Sequence, residues 1–449
     1  MPVKRRAFCG MSLALPAAWL GEQPDAARQS PRAQASPGLP GLPLGVVRDR
    51  YRKYLFDDFL PFMHRFVIDH EHGGFMCNTD YDGTRANETK DCWFEGRGIW
   101  VYAFLYNHLA RENRFLDVAR RSAAFILRAR PADGSFWPRQ LTREGRPITP
   151  PDTAVYGTLF IAEGLQELAH ATAERQYRET AKRLILECVE RYDRADYEPS
   201  IGQTYLGPDA RAFPGARIQG VWMVLIRVIT QMLEREADRD LQTVADRCVQ
   251  AVVQHHYNPT FRLTNELLNH DLTRPGNEYA QLVYTGHAIE THWMLMQEAL
   301  RRKDRALFNV LADRFRRHVE VAWDQVYGGV LRNLMHVDTN TWTLDKVLWA
   351  QEEVLIGSLL VYEHTGTRWA MEMFERTLAY VEATYPLTTH GSPAWMYAGN
   401  RRVEFEDFVK RPKRIEHYHH PRHLMLNLLS LERLIARGGK PPGTRGGTR

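Results

Sequence analysis

Cysteine is scarce in this chain and unpaired in pattern. Of five cysteines, Cys77, Cys92, Cys188 and Cys248 fall in the body of the sequence and none lies in a CxxC spacing, which excludes zinc ribbons and dithiol redox motifs. Buried free thiols are the default, and a Cys77–Cys92 disulfide stays open because sequence does not fix its geometry. No apolar run approaches the roughly 20 residues that a membrane-spanning helix needs. A GxxxxGK[ST] phosphate loop is absent, and no nucleotide or other cofactor is expected. Positive charge is not concentrated in the body either. The net charge is +5, but Lys4, Arg5, Arg6, Arg437, Lys440, Arg445 and Arg449 lie at the two ends. The segment between them is near neutral, without the basic stripe of a nucleic-acid binder.

What the chain has is apolar mass, 44% hydrophobic residues, ample for a large core. The opening "VKRRAFCGMSLALPAAWLG" sets paired arginines ahead of a short apolar run ending in small residues. This is the pattern of a twin-arginine export signal over residues 1–24. A polar linker follows over 25–44, then a folded body over 45–437 and a Gly-, Pro- and Arg-rich disordered tail over 438–449. Export to the periplasm is expected; an ordinary basic N-terminus on a cytoplasmic protein is the alternative.

Helical periodicity marks segments near 45–68, 93–110, 114–129, 154–173, 177–195, 217–235, 239–256, 285–302, 304–322, 346–365, 367–384 and 420–437. Tight and long connections alternate strictly along this series. Tight turns make antiparallel helix pairs, so the long loops gather at one rim. Two of these loops resemble each other: "HEHGGFMCNTDYDG" (70–83) and "DQVYGGVLRNLMHVDT" (324–339) share a Gly-Gly-apolar step and a run to an aspartate. Repetition of a helix-pair unit predicts an all-α (α/α)6 barrel, a closed toroid of six helical hairpins. The helix after each long loop is apolar nearly all round and should line the centre, with its first turn under the loops.

Those first turns and loops supply Glu95 and Arg97 in "WFEGR", Tyr156 in "DTAVYG", Glu266 in "LTNELL", and His287 and Glu290 in "GHAIE". They add Lys346, Trp349, Gln351 and Glu353 in "KVLWAQEE", Trp395 in "SPAWMYA", and His417, His419 and His420 in "IEHYHHPRH". Tryptophans among carboxylates suit a small reducing sugar, whose C–H faces stack on indole and whose hydroxyls need directed hydrogen bonds. Histidine titrates near neutrality and can take a proton off carbon or return one. His287, at a helix N-terminus, is expected to act as base with Glu290 three residues on fixing its tautomer. His419 would serve the opposite face, and Arg97 would hold the developing oxyanion. A metal cluster of His417, His419 and His420 near Glu416 is the competing use of those histidines. A glycoside hydrolase or lyase using Asp152 and Glu163 is the competing chemistry.

Four ordered segments, "KDCWFEGRGIW", "TGHAIETHWML", "KVLWAQEE" and "YHHPRHLML", are similar to the K-x-x-W-x-[QE]-G-R, PGHAIE-type, K-x-W-W-x-Q-x-E and F-H-x-P-R segments of the N-acylglucosamine 2-epimerase family, over most of 45–437. The resemblance implies an (α/α)6 barrel that epimerises C2 of a reducing sugar, or isomerises aldose to ketose, through an enediolate without a metal. It implies His287 and His419 as the acid/base pair, Arg97 on the oxyanion side, Glu290 beside the histidine, and Trp349 and Trp395 as stacking positions. Glu266, in "NELLNHD", resembles the Leu-Glu-Asn segment of the N-acylglucosamine branch, and Tyr156, Lys346 and Glu353 complete the expected substrate contacts. A homodimer is common in that family. The chain departs from the pattern at Leu348, at Tyr284-Thr285 and at Glu95, where tryptophan, Asn-Pro and glutamine are usual.

Overall fold

The computed structural model describes residues 41–199, 213–385, 397–402, 405–406 and 414–442. The expected export signal over 1–24 and most of the expected linker lie outside the described residues. Among the described residues the chain forms twelve helical runs. The first, α1 (44–67), alternates α-helical with wider π-helical turns. Then come α2 (Cys92–His108), α3 (Asn113–Arg128), α4 (Tyr156–Thr172), α5 (Arg175–Asp193), α6 (Gln219–Leu233) and α7 (239–256). They are followed by α8 (Thr285–Arg301), α9 (Arg305–Ala322), α10 (Leu348–Thr365), α11 (Arg368–Thr384) and α12 (His419–Ala436). Each lies within a few residues of its expected place.

The even-numbered helices form the inner ring. Each packs on the next, and α12 returns to α2 to close it, while each odd-numbered helix packs outside an inner one, α1 against α12. Composition explains the sorting. Inner helices such as α6 are buried along their whole length, whereas α3 and α7 carry charge on one face and apolar residues on the other, as surface helices do. Closure demands small residues where inner helices cross: a Cβ on Gly96 of α2 would stand 2.3 Å from the Phe160 carbonyl carbon of α4, and one on Gly164 would stand 2.6 Å from the Gly96 oxygen. Side-chain caps start several helices, with Asp91, Asp238 and Asp304 accepting from backbone amides of the first turn, each worth about 1 kcal/mol.

The long loops tie into a collar over one end of the ring. Strand β1 (Thr89–Asp91) of the first loop pairs with β2 (Gln140–Thr142) of the second, and Tyr197 of the third meets the amide of Val155. Strand β3 (Arg217–Ile218) pairs antiparallel with Leu267–Leu268 of the fourth loop, and Val283 exchanges bonds with Leu334 of the fifth. Lys346–Val347 pairs with Ala398–Gly399 of the sixth, and the Ile415 amide donates to the Cys77 carbonyl back in the first. Just past α12 the Gly439 amide donates to the Leu434 carbonyl at 2.8 Å and its carbonyl accepts from Tyr362, and most of the expected tail lies outside the described residues. No helix of the described residues is long and apolar enough to cross a membrane. Cys77, Cys92, Cys188 and Cys248 are free and buried, so the Cys77–Cys92 disulfide left open by the sequence is not formed.

Candidate active site

His287 stands in the first turn of α8, as expected, but its carboxylate partner is Glu266. The His287 Nδ1 lies 2.9 Å from Glu266 Oε1, and Tyr284 stacks on the ring with centroids 3.8 Å apart. Glu266 is held by its own backbone, its amide donating to Leu282 and its carbonyl accepting from Gln219, each at 2.9 Å. Two residues earlier the Thr264 amide donates to His318 Nε2 at 2.9 Å. Burial holds the His318 pKa down at about 4, so that ring is neutral and can accept. Glu290, expected to orient His287, instead accepts from Arg422 Nη2 at 2.6 Å. A permanently charged guanidinium only 1% exposed has a stronger requirement for a carboxylate than a neutral imidazole does.

His419 opens α12, and its Nδ1 lies 3.0 Å from Glu353 Oε1. The other Glu353 oxygen accepts from Trp293 Nε1 at 2.7 Å. Arg422, one turn along α12, donates to both Glu290 and Glu353 at 2.6 Å and approaches His419 Nδ1 at 3.0 Å. Because the guanidinium is already committed to two carboxylates, the proton on His419 Nδ1 points to Glu353. Glu416 steadies the same turn by accepting from the amides of Tyr418 and His419 at 2.8 and 3.0 Å. Burial alone would raise both acidic groups, but their basic neighbours reverse it: Arg422 and His419 hold Glu290 below its ordinary range, and His419 with Arg97 brings Glu416 to about 2.

Trp349 sits between the two imidazoles, its ring centroid 6.1 Å from that of His287 and 5.3 Å from that of His419. Tyr156 and Gly220 complete the His287 side: a Cβ on Gly220 would meet Tyr156 Oη at 2.7 Å and the His287 ring at 3.3 Å. Arg97 lies over Phe160 at 4.0 Å and over Tyr418 at 4.8 Å. No carboxylate among the described residues pairs with it at salt-bridge distance, so its charge is balanced at longer range by Glu416. The arrangement brings together His287, His419, Arg97, Glu290, Glu266, Glu353, Trp349 and Tyr156.

Lys346 is not among them. Its Nζ donates to the Gly328 and Arg401 carbonyls at 2.6 and 3.1 Å and pairs with Asp324 at 3.0 Å, which uses all three protons and leaves none for a sugar. The repeat explains this. In the first copy Lys90 does the same with Gly73 and Asp69, at 2.6 and 3.0 Å. Glu95 accepts from the Phe75 amide just as Gln351 accepts from that of Val330. Trp395 lies outside the described residues. The three-histidine cluster does not form: His417 Nε2 meets the Phe94 carbonyl, and His420 turns to Glu352. Asp152 binds a local amide, while Glu163 is buried beneath Tyr418, whose hydroxyl it accepts at 2.7 Å. Arg422 was legible only as a motif letter, although an arginine three residues after a histidine in an apolar helix signals a buried charge that needs partners.

Fold and cleft define a class: an enzyme on an (α/α)6 barrel whose central cleft holds two histidine–carboxylate pairs around a tryptophan. The family model for N-acylglucosamine 2-epimerase (GlcNAc 2-epimerase) matches residues 73–421, and the chain belongs to that family of isomerases. It is 27% identical over 339 residues to the N-acylglucosamine 2-epimerase of Homo sapiens, covering 72% of this chain and 76% of that one. Among solved structures it is similar to the cellobiose 2-epimerase of Bacillus thermoamylovorans, with a TM-score of 0.72, 16% identity, and coverage of 86% and 99%. It is also similar to a D-mannose isomerase, with a TM-score of 0.65, 15% identity, and coverage of 87% and 97%.

Proposed function

We propose that the chain interconverts C2 epimers of a reducing sugar by two-histidine proton transfer. The observation that carries this reading is the pair of imidazoles flanking Trp349, each with Nδ1 engaged by a buried carboxylate. With Nδ1 engaged, Nε2 is the nitrogen left for chemistry on both rings. The open-chain sugar stacks on Trp349 with C2 between the histidines. One Nε2 removes the C2 proton, its carboxylate steadying the imidazolium that forms, and Arg97 holds the enediolate oxygen. The other histidine returns a proton to the opposite face, which inverts the centre. Arg422 keeps Glu290 ionised throughout and holds Glu353 in place by a hydrogen bond.

The test is proton NMR in D2O with N-acetylglucosamine, N-acetylmannosamine, glucose, mannose and cellobiose. Deuterium at C2 with a new anomeric signal supports epimerisation, and a ketose signal means that one histidine carries the proton between C2 and C1. Cleavage of an oligosaccharide without C2 exchange overturns the reading. The deep burial of Glu163 and the local bonding of Asp152 weigh against that outcome. On the paired arginines of the N-terminus, we also propose export; Arg5→Lys with Arg6→Lys should retain the protein in the cytoplasmic fraction.

A further inference from the structure

Behind the catalytic pair, α10 and α12 carry a second histidine–carboxylate pair, one residue away in each helix and therefore turned about 100° from the cleft. His420 Nδ1 lies 2.6 Å from Glu352 Oε1, and His423 Nδ1 lies 3.3 Å from the same oxygen and 2.9 Å from the His420 carbonyl, a contact it would give up to bind an ion. All three side chains are buried, and their ligand-type atoms lie within 4.8 Å of one another. Buried polar atoms around them have no hydrogen-bond partner among the described residues: Glu352 Oε2, His420 Nε2, and Oδ2 of the nearby Asp58. Such orphans are rare in a packed interior and ask for an explanation.

The donor set supplies one for Glu352 Oε2, on the carboxylate that both Nδ1 atoms face. Two imidazoles and a carboxylate in a dry site are what zinc-class dications take. Two positive charges would be matched by Glu352 and Asp58 with both imidazoles neutral. The neighbouring cluster of Glu290, Glu353 and His419 is different, because Arg422 already supplies its cation. Glu352 and His420 also stand at positions that the K-x-W-W-x-Q-x-E and F-H-x-P-R segments leave unspecified.

We propose that Glu352, His420 and His423 bind a zinc-class divalent cation that fastens α12 to α10 behind His419. Chelator-stripped full-length protein is titrated with Co2+ and followed by visible absorption, alongside elemental analysis of protein purified from zinc-supplemented cells. A d–d band that saturates at one equivalent and is displaced by Zn2+, with one zinc per chain, is expected. His423→Gln should abolish the band and His419→Gln should keep it. The wild-type titration needs no variant to fold: absence of a saturable band together with absence of bound zinc overturns the proposal. So does a band lost in His419→Gln and retained in His423→Gln, which would place the ion in the cleft.

Discussion

The Glu353 carboxylate oxygen that faces His419 Nδ1 at 3.0 Å also receives Arg422 at 2.6 Å. One atom therefore faces the His419 imidazole and compensates a buried guanidinium. The opposite pair differs: Glu266 meets His287 at 2.9 Å, and its second oxygen, buried, has no partner among the described residues. Loss of a carboxylate should consequently be felt in two ways on one side of the cleft and in one way on the other.

Glu353→Gln replaces the carboxylate that faces His419 Nδ1 and one of the two that receive Arg422. The turnover number for the exchanging sugar should fall by roughly 10²–10⁴-fold, the range for losing acid–base assistance. KM should change little, because Trp349 and the remaining wall are untouched. Steady-state kinetics check this, and a rise in KM with turnover unchanged would make Glu353 a substrate contact instead.

Glu266→Gln and Glu290→Gln separate the two candidates for orienting His287. The Glu266 variant should lose C2 exchange while its melting temperature stays close to that of the parent. The Glu290 variant should also melt lower, because breaking a buried ion pair costs about 3–5 kcal/mol before partial compensation by the remaining partner, Glu353. Thermal melts beside deuterium-exchange rates decide it; an unaffected exchange rate in Glu266→Gln would return the orienting role to Glu290.

These pairings show where sequence is legible and where it is not. Periodicity and the rhythm of loop lengths determine the toroid because both are local. His287, Arg97 and Trp349 are legible from first turns of inner helices and His419 from the last long loop, which the structure continues into α12 at His419 itself. Which carboxylate meets which histidine depends on elements approaching from elsewhere in the chain: Glu266, on the fourth loop, is 21 residues from His287, and Glu353, on α10, is 66 from His419. The Gly-Gly repeat was visible as letters, yet its consequence, that Lys346 is a clamp like Lys90, needed both copies in space.

Lys346→Met tests that clamp. Asp324 would keep the amides of Val326 and Tyr327 but only one cation, the more exposed Arg401 at 3.3 Å, and about 3–5 kcal/mol of stability should be lost. Lys90→Met should cost less, since Asp69 retains two bonds from Arg143 at 2.9 and 3.1 Å. KM for the sugar should not follow stability in either case. Denaturant unfolding with parallel kinetics checks both, and a KM effect confined to Lys346→Met would restore it as a sugar ligand.

Glu95 carries the last prediction because its counterpart in the repeat is Gln351. Burial pushes the Glu95 pKa from 4.5 up to about 8 in spite of Lys90 nearby. Between those values the folded chain keeps a proton that the unfolded chain has released, so stability falls as pH rises from about 4.5 to 8 and levels off above. The slope amounts to about 1.4 kcal/mol for each pKa unit of difference. Gln351 meets the same backbone demand without a charge, accepting from the Val330 amide at 2.8 Å and donating to its carbonyl at 2.9 Å. Glu95→Gln should therefore flatten the pH dependence and raise the melting temperature at pH 8 more than at pH 5. Melting curves at the two pH values check it. Equal gains at both would mean that Glu95 is ionised in the folded protein, with Lys90 outweighing its burial.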